Sequence, residues 1–168
     1  MLTRFLKGFT TIAIGATLSV PASAEESAPN PNKEVMLCTL NEMNVRYTEK
    51  DGNILFLVDS NIVVIDCNAE RQTLTVTSYN RLEIPQEKRA EAYSIVNKLN
   101  IEYNTQFCID EDGDLKVQLT FDIDDMTISP KVAESSVHRV LAGLAIGTKK
   151  LKHLAGDTMT PTPDAPGN

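Results

Sequence analysis

Cysteine, histidine, positive charge and long apolar runs are all scarce in this sequence, and each scarcity removes a class of function. There are three cysteines, Cys38, Cys67 and Cys108, in 168 residues. Three cannot make a disulfide-stapled scaffold, so the fold must stand mainly on an apolar core. No C-x-x-C occurs, which leaves neither a thioredoxin-like site nor a zinc ribbon. The two histidines, His138 and His153, fall about four turns apart on one predicted helix and cannot share a metal. Ser135 is three residues from His138, but no strained strand-to-helix elbow surrounds it. The sequence therefore reads as no enzyme, with no catalytic residue and no cofactor. The formal charge is −7, and phosphate contacts need Lys and Arg, so neither nucleic acid nor an anionic membrane surface is an expected partner. No internal repeat is present.

What is there begins with an export signal. Arg4 and Lys7 form a positive start, Gly8 to Val20 is apolar or small, and Pro21-Ala22-Ser23-Ala24 supplies an A-x-A site. The apolar run is shorter than the roughly 20 residues that span a bilayer. Glu25 and Glu26 follow it, in place of basic stop-transfer residues. Residues 1–24 thus read as a signal peptide cleaved after Ala24, which puts the mature protein in the periplasm or outside the cell, with no membrane span. Cleavage removes two basic residues and no acidic one, so the charge becomes −9 over 144 residues. That length suits one domain.

The mature chain divides into a polar linker at 25–30, a domain at 31–155 and a Thr/Pro-rich tail at 156–168 that reads as disordered. Asn30-Pro31 predicts a helix start, and Met36, Leu40 and Met43 share one face of that helix, with Cys38 turned away. Val45–Glu49 and Ile54–Val58 flank Asp51-Gly52, a strong hairpin signal. Ile62-Val63-Val64-Ile65 is apolar on both faces and predicts a central strand covered on both sides. Thr73–Tyr79 predicts another strand. Pro85 opens a second helix with Ala92, Tyr93, Val96 and Leu99 buried, and Glu87, Lys88, Arg89 and Glu91 in water. Phe107 and Ile109 lead through Asp110–Asp114 into Leu115, Val117, Leu119, Phe121 and Ile123, which alternate with polar residues as in a half-buried antiparallel strand. Ser129-Pro130 starts a last helix reaching about Leu154, with Val137, Val140, Leu141, Leu144 and Leu151 inward and Lys149, Lys150, Lys152 and His153 near its end. The fold class is α+β, in the order α-β-β-β-β-α-β-β-α, with helices packed on one antiparallel sheet.

The run from Pro85 to Leu144 resembles the YbjN family. The matching features are the Pro-opened helix with Arg89, Glu91, Ala92 and the Asn97-x-x-Asn100 pair, the Asp112-Gly113 hairpin, the alternating strand and the final amphipathic helix. Val45 to Tyr79 fits more loosely, and the likeness covers most of residues 31–155. It implies the fold of type III secretion chaperones and a non-catalytic protein-interaction or chaperone-like module with an unidentified protein partner. Members carry the label of sensory transduction regulators. Many are cytoplasmic, and the export signal departs from that pattern.

Four features offer chemistry or contacts. Asp110, Asp112 and Asp114, with Asp122, Asp124 and Asp125 near, form a candidate calcium site, the basis of an alternative reading as a calcium- or small-ligand-responsive periplasmic sensor. Yet Gly113 is fourth from Asp110, not sixth, and no distal glutamate follows, so a solvated type I′ turn is the simpler expectation. Cys67 and Cys108 could form a disulfide, or all three thiols could stay reduced. Gly143-x-x-x-Gly147 allows close packing on the sheet or on a second subunit, hence a possible homodimer. The polar sheet face (Lys116, Gln118, Thr120) and the exposed side of the first helix are the candidate partner surfaces.

Overall fold

The structure, a computed structural model, describes residues 30–123 and 126–156. The expected signal peptide, residues 25–29 of the linker, Asp124, Asp125 and the tail from 157 lie outside the described residues.

Helix α1 (Pro31–Glu42) starts where Asn30 and Pro31 predict. The Asn30 carboxamide oxygen accepts from the N–H groups of Asn32 and Lys33, at 3.0 and 3.3 Å, a cap typically worth about 1 kcal/mol. Asn32 faces the other way. Its Nδ2 donates to the carbonyl of Met126 at 3.0 Å and its Oδ1 accepts from the N–H of Ile128 at 2.7 Å. One buried asparagine thereby ties the start of α1 to the segment that leads into the last helix. Met36 and Leu40 are fully buried and Cys38 is exposed, as their spacing predicts.

Strands β1 (Tyr47–Lys50), β2 (Asn53–Val58), β3 (Asn61–Asn68) and β4 (Thr73–Asn80) form an antiparallel meander. Asp51 and Gly52 have φ of 50° and 81°, the two positive values of a type I′ turn, whose twist suits a two-residue hairpin. Asp59 and Ser60 repeat the pattern between β2 and β3, with φ of 48° and 67°. A short 3₁₀ turn at Gln86–Lys88 then leads into α2 (Arg89–Glu102). Here Ala92, Val96 and Leu99 are buried, but Tyr93 is 45% exposed, a correction to its place in the apolar stripe. Ile95 packs against the core instead. Arg89 is also half-buried, its Nε donating to the Ile84 carbonyl at 3.2 Å.

Strands β5 (Gln106–Ile109) and β6 (Leu115–Asp122) form the second hairpin, and β6 pairs with β4, giving the antiparallel order β1-β2-β3-β4-β6-β5. Helix α3 (Pro130–Leu151), capped by Ser129, ends three residues earlier than expected and passes into a 3₁₀ turn at Lys152–Leu154. It lies over β4 and β6, with α1 and α2 beside it. The predicted element order is the observed one.

Gly143 and Gly147 explain how α3 sits so close. A Cβ on Gly147 would stand 2.8 Å from Cδ2 of Leu115, and one on Gly143 would stand 3.0 Å from Cγ1 of Val117. The small-residue pair serves packing on the chain's own sheet. This part of α3 is therefore taken up by the chain's own β6 and β5.

Beneath the helices, cross-strand register aligns Ile54, Ile65, Val76 and Leu119 in one row and Phe56, Val63, Ser78, Val117 and Phe107 in the next. With Met36, Leu40, Ala133, Val137, Val140 and Leu144 they form one core. The described helices lie on this face alone. Val63 and Ile65 are buried there, while Ile62 and Val64 point to the opposite face and are half-buried. The expectation of a doubly covered strand is therefore corrected: β3 is central in order, but among the described residues helices cover only one of its sides.

Candidate binding surface on the open face of the sheet

The open face follows directly from the pairing. One row runs Leu57, Ile62, Tyr79, Lys116 and Cys108 across β2, β3, β4, β6 and β5. The next runs Thr48, Leu55, Val64, Thr77, Gln118 and Gln106. A third brings Asp66, Thr75 and Thr120 together. The surface is thus divided by strand. Over β2, β3 and the end of β4 it is apolar, with Leu55, Leu57, Ile62, Val64 and Tyr79. Over β6 and β5 it is polar.

Leu57 is 68% exposed, and Leu55, Ile62, Val64 and Tyr79 are half-buried. Single exposed apolar residues are common, but a contiguous apolar group on a sheet face that no described helix covers is a candidate contact surface. Burial raises the phenol pKa of Tyr79, and the Asp110 carboxylate adds to the rise. The tyrosine presents a neutral hydroxyl at the border between the apolar and polar halves. On the polar side Thr75 and Thr120 share a hydrogen bond at 3.2 Å, and the Gln118 Nε2 donates to Thr120 Oγ1 at 3.0 Å. Lys116, Gln118 and Thr120 lie on this open face, as expected, but they form its polar flank. The apolar part was missed. Its signal was the double-faced run Ile54–Val58 and Ile62–Ile65, where apolar residues outnumber what one buried face needs.

The acidic hairpin has a different use. Gly113 N donates to the Asp110 carbonyl at 3.1 Å and the Asp110 N–H to the Asp114 carbonyl at 3.0 Å. Gly113 has φ of 88°, whereas Glu111 and Asp112 keep negative φ, so the loop is a three-residue turn ending in a left-handed glycine and not a type I′ turn. Only glycine fits, since an added Cβ would stand 2.5 Å from the Ile84 carbonyl oxygen. Asp110 Oδ1 accepts from the N–H groups of Asp112 and Asp114 at 3.1 and 2.8 Å. Asp114 is not solvated. It is buried, and its Oδ1 accepts from the N–H groups of Leu82 at 2.9 Å and Glu83 at 3.0 Å. Burial raises its pKa, and the two backbone bonds hold the rise back. Among the described residues no three His, Cys, Asp or Glu side chains converge in a way that could hold a metal ion.

Cys67 and Cys108 are not brought together. Cys67 faces the core from β3 and Cys108 faces outward from β5, with β4 and β6 between them. All three thiols are free. Burial, then the Asp66 carboxylate, pushes the Cys67 thiol up to about 11 against the opposing pull of Lys33. His138 lies on the outer side of α3 beside Lys131, Glu134, Ser135 and Arg139 around a shallow depression, and His153 meets Glu91 at 3.5 Å. No helix among the described residues is long and apolar enough to cross a membrane.

No protein-family model and no curated protein matches the sequence. Solved structures do match. YbjN from E. coli superposes with a TM-score of 0.60 at 11% identity, over 76% of this chain and 96% of that one. A chain of the ExsC–ExsE complex gives 0.53 at 15%, over 74% and 92%. A chain of the HopA1–SchA chaperone–effector complex gives 0.51 at 12%, over 73% and 94%. The chain has the YbjN and type III secretion chaperone fold. At these identities the likeness concerns the fold. The resemblance first seen between Pro85 and Leu144 extends through the looser region of β1 to β4.

Proposed function

We propose that this protein is an exported, non-catalytic binding module of chaperone type, which holds an apolar, extended segment of a partner protein against the open face of its sheet. The observation that carries this reading is the group Leu55, Leu57, Ile62, Val64 and Tyr79, on a face that no described helix covers. An apolar sheet face bordered by hydrogen-bonding Thr and Gln side chains suits a peptide that needs both apolar contact and polar anchoring. The fold shared with chains of chaperone–effector and related complexes supports the same reading. Export rests on the signal at residues 1–24, and an intact mass beginning at Glu25 tests it. The calcium-responsive alternative draws no support from the hairpin, where Oδ1 of Asp110 and Oδ1 of Asp114 each accept from two backbone N–H groups and serve the turn itself.

The test is differential capture from a periplasmic extract with the wild type, a Leu57→Arg/Ile62→Lys variant and a Lys149→Ala variant on the helix layer. A partner retained by the first and third and lost from the second supports the open face. A partner that the open-face variant still holds with unchanged affinity removes it.

A further inference from the structure

The chain's final segment starts beside the open face. Leu154 is buried in the core, and the Gly156 N–H donates to the Leu82 carbonyl at 3.2 Å. Leu82 lies two residues past the end of β4, and Tyr79 is three residues before it. The pairs Val58 with Asn61 and Tyr79 with Ile62 close the strands at that same end of the sheet. The row Leu57, Ile62 and Tyr79 is thus the part of the apolar group nearest to where residues 157–168 begin. Along the backbone Tyr79 is at most about 10 Å from Leu82, and three residues of extended chain carry Met159 as far from Gly156.

In that segment Met159, Pro161, Pro163 and Ala165 alternate with Thr158, Thr160, Thr162 and Asp164. Alternate side chains of an extended chain share one side, so extension turns the apolar four one way and the polar four the other. Each proline has its own φ fixed, and the threonine before it is pushed to extended backbone. Little freedom is therefore lost when the segment is laid on a surface. Proline brings no N–H to a strand ladder, so this segment suits a sheet face and not a sheet edge. Its charge fits as well. It carries Asp157 and Asp164 and no Lys or Arg, and Lys116 stands beside Tyr79 in the same row.

We propose that residues 157–168 are the resident occupant of the open face, with Met159, Pro161 and Pro163 laid over Tyr79, Ile62 and Leu57, and that an outside segment binds by displacing them. This rests on the reading of that face as a site for an extended apolar segment. A short tether holds the segment at an effective concentration on the order of 1 mM, so a contact of even sub-millimolar affinity covers the face more than half of the time.

The experiment reads the methyl signals of Leu57 and Ile62 by NMR in the mature chain, with a soluble nitroxide as the probe of exposure. It compares wild type with Met159→Ser/Pro161→Ser/Pro163→Ser. Relaxation of both signals is expected to be at least about twofold weaker in wild type, with Ala142 on the outer side of α3 equal in the two. A synthetic peptide of residues 157–168 is expected to shift the two signals in the triple variant at a several-fold lower concentration than in wild type. Equal relaxation in the two chains overturns the proposal. So does protection that grows with protein concentration, which gives the face to a second copy, and so does a peptide that shifts neither chain. These outcomes are independent of partner capture: a face left bare by its own segment still loses its partner in Leu57→Arg/Ile62→Lys if the reading of the face holds.

Discussion

Asp114 separates a structural carboxylate from a ligand, and two substitutions make the distinction measurable. Its Oδ1 accepts from two backbone N–H groups of the segment between β4 and α2. The Ile84 N–H donates to the Gly113 carbonyl in the same corner, at 3.0 Å. Asp114→Ala strands the donors of Leu82 and Glu83, the first of them buried. Leaving a buried donor unpaired costs about 1–3 kcal/mol. Because Glu83 is less buried and water can reach it, the expected loss is about 2–4 kcal/mol. Asp114→Asn keeps an acceptor at Oδ1 and is expected to lose less than about 1 kcal/mol at pH 7. Acidification carries a sign. The folded chain holds this carboxyl above its ordinary 3.8, so it binds the proton more readily than the unfolded chain. The resulting stabilisation is fully present below pH 3.8 and is lost as pH rises through the folded value. Wild type is therefore expected to gain on Asp114→Asn as pH falls from 7 toward 3.5. Urea unfolding followed by circular dichroism measures all of this. Asp114→Ala within 0.5 kcal/mol of wild type, or Asp114→Asn as damaging as Asp114→Ala, would refute the anchoring role.

Other outcomes follow from the same geometry. Gly147→Ala places a Cβ against Leu115 and Phe107, and overpacking of this kind costs about 1–3 kcal/mol; urea midpoints equal to wild type would contradict the close approach of α3. Thiol titration in denaturant is expected to count three thiols with and without reductant. In the folded protein Cys38 and Cys108 react first, and Cys67, pushed up to about 11, speeds up roughly tenfold per pH unit between pH 8 and 10 if it titrates while folded. Millimolar calcium is expected to leave the melting temperature unchanged, and a chelator-reversible rise would return the acidic hairpin to consideration. Leu57→Arg removes an apolar contact worth about 1.5–3 kcal/mol when fully buried, so partner affinity is expected to fall roughly 10- to 100-fold with no loss of fold stability.

The element order was legible because local chemistry states it. Asn30-Pro31, Ser129-Pro130 and Asp51-Gly52 act within a few residues, and the structure uses each where it stands. The Asp59-Ser60 turn was less legible, since neither residue favours positive φ as glycine does. Where the signal depends on distant chain, reading failed in informative ways. The three carboxylates Asp110, Asp112 and Asp114 are alike in sequence, and only the arrival of Leu82 and Glu83 distinguishes the last. Asn97 and Asn100 stand out as a pair, but their spacing does not say that Asn100 reaches Phe107. Ile62–Ile65 showed that both faces of β3 are apolar, and reading this as two covering layers was reasonable. The described helices all lie on one side, so the surplus apolar residues stand half-buried or exposed on the other. The candidate site was thus present in the sequence as an excess of core-like residues.

The claim that the open face is where a partner binds is tested most directly by placing a photo-activatable amino acid at Leu57 in one variant and at Ala142, on the outer side of α3, in another. Both positions are exposed, so neither replacement disturbs the core. The account predicts a discrete protein adduct from position 57, absent from position 142 and abolished when Ile62→Lys is added. An adduct from position 142 with none from position 57 would contradict it.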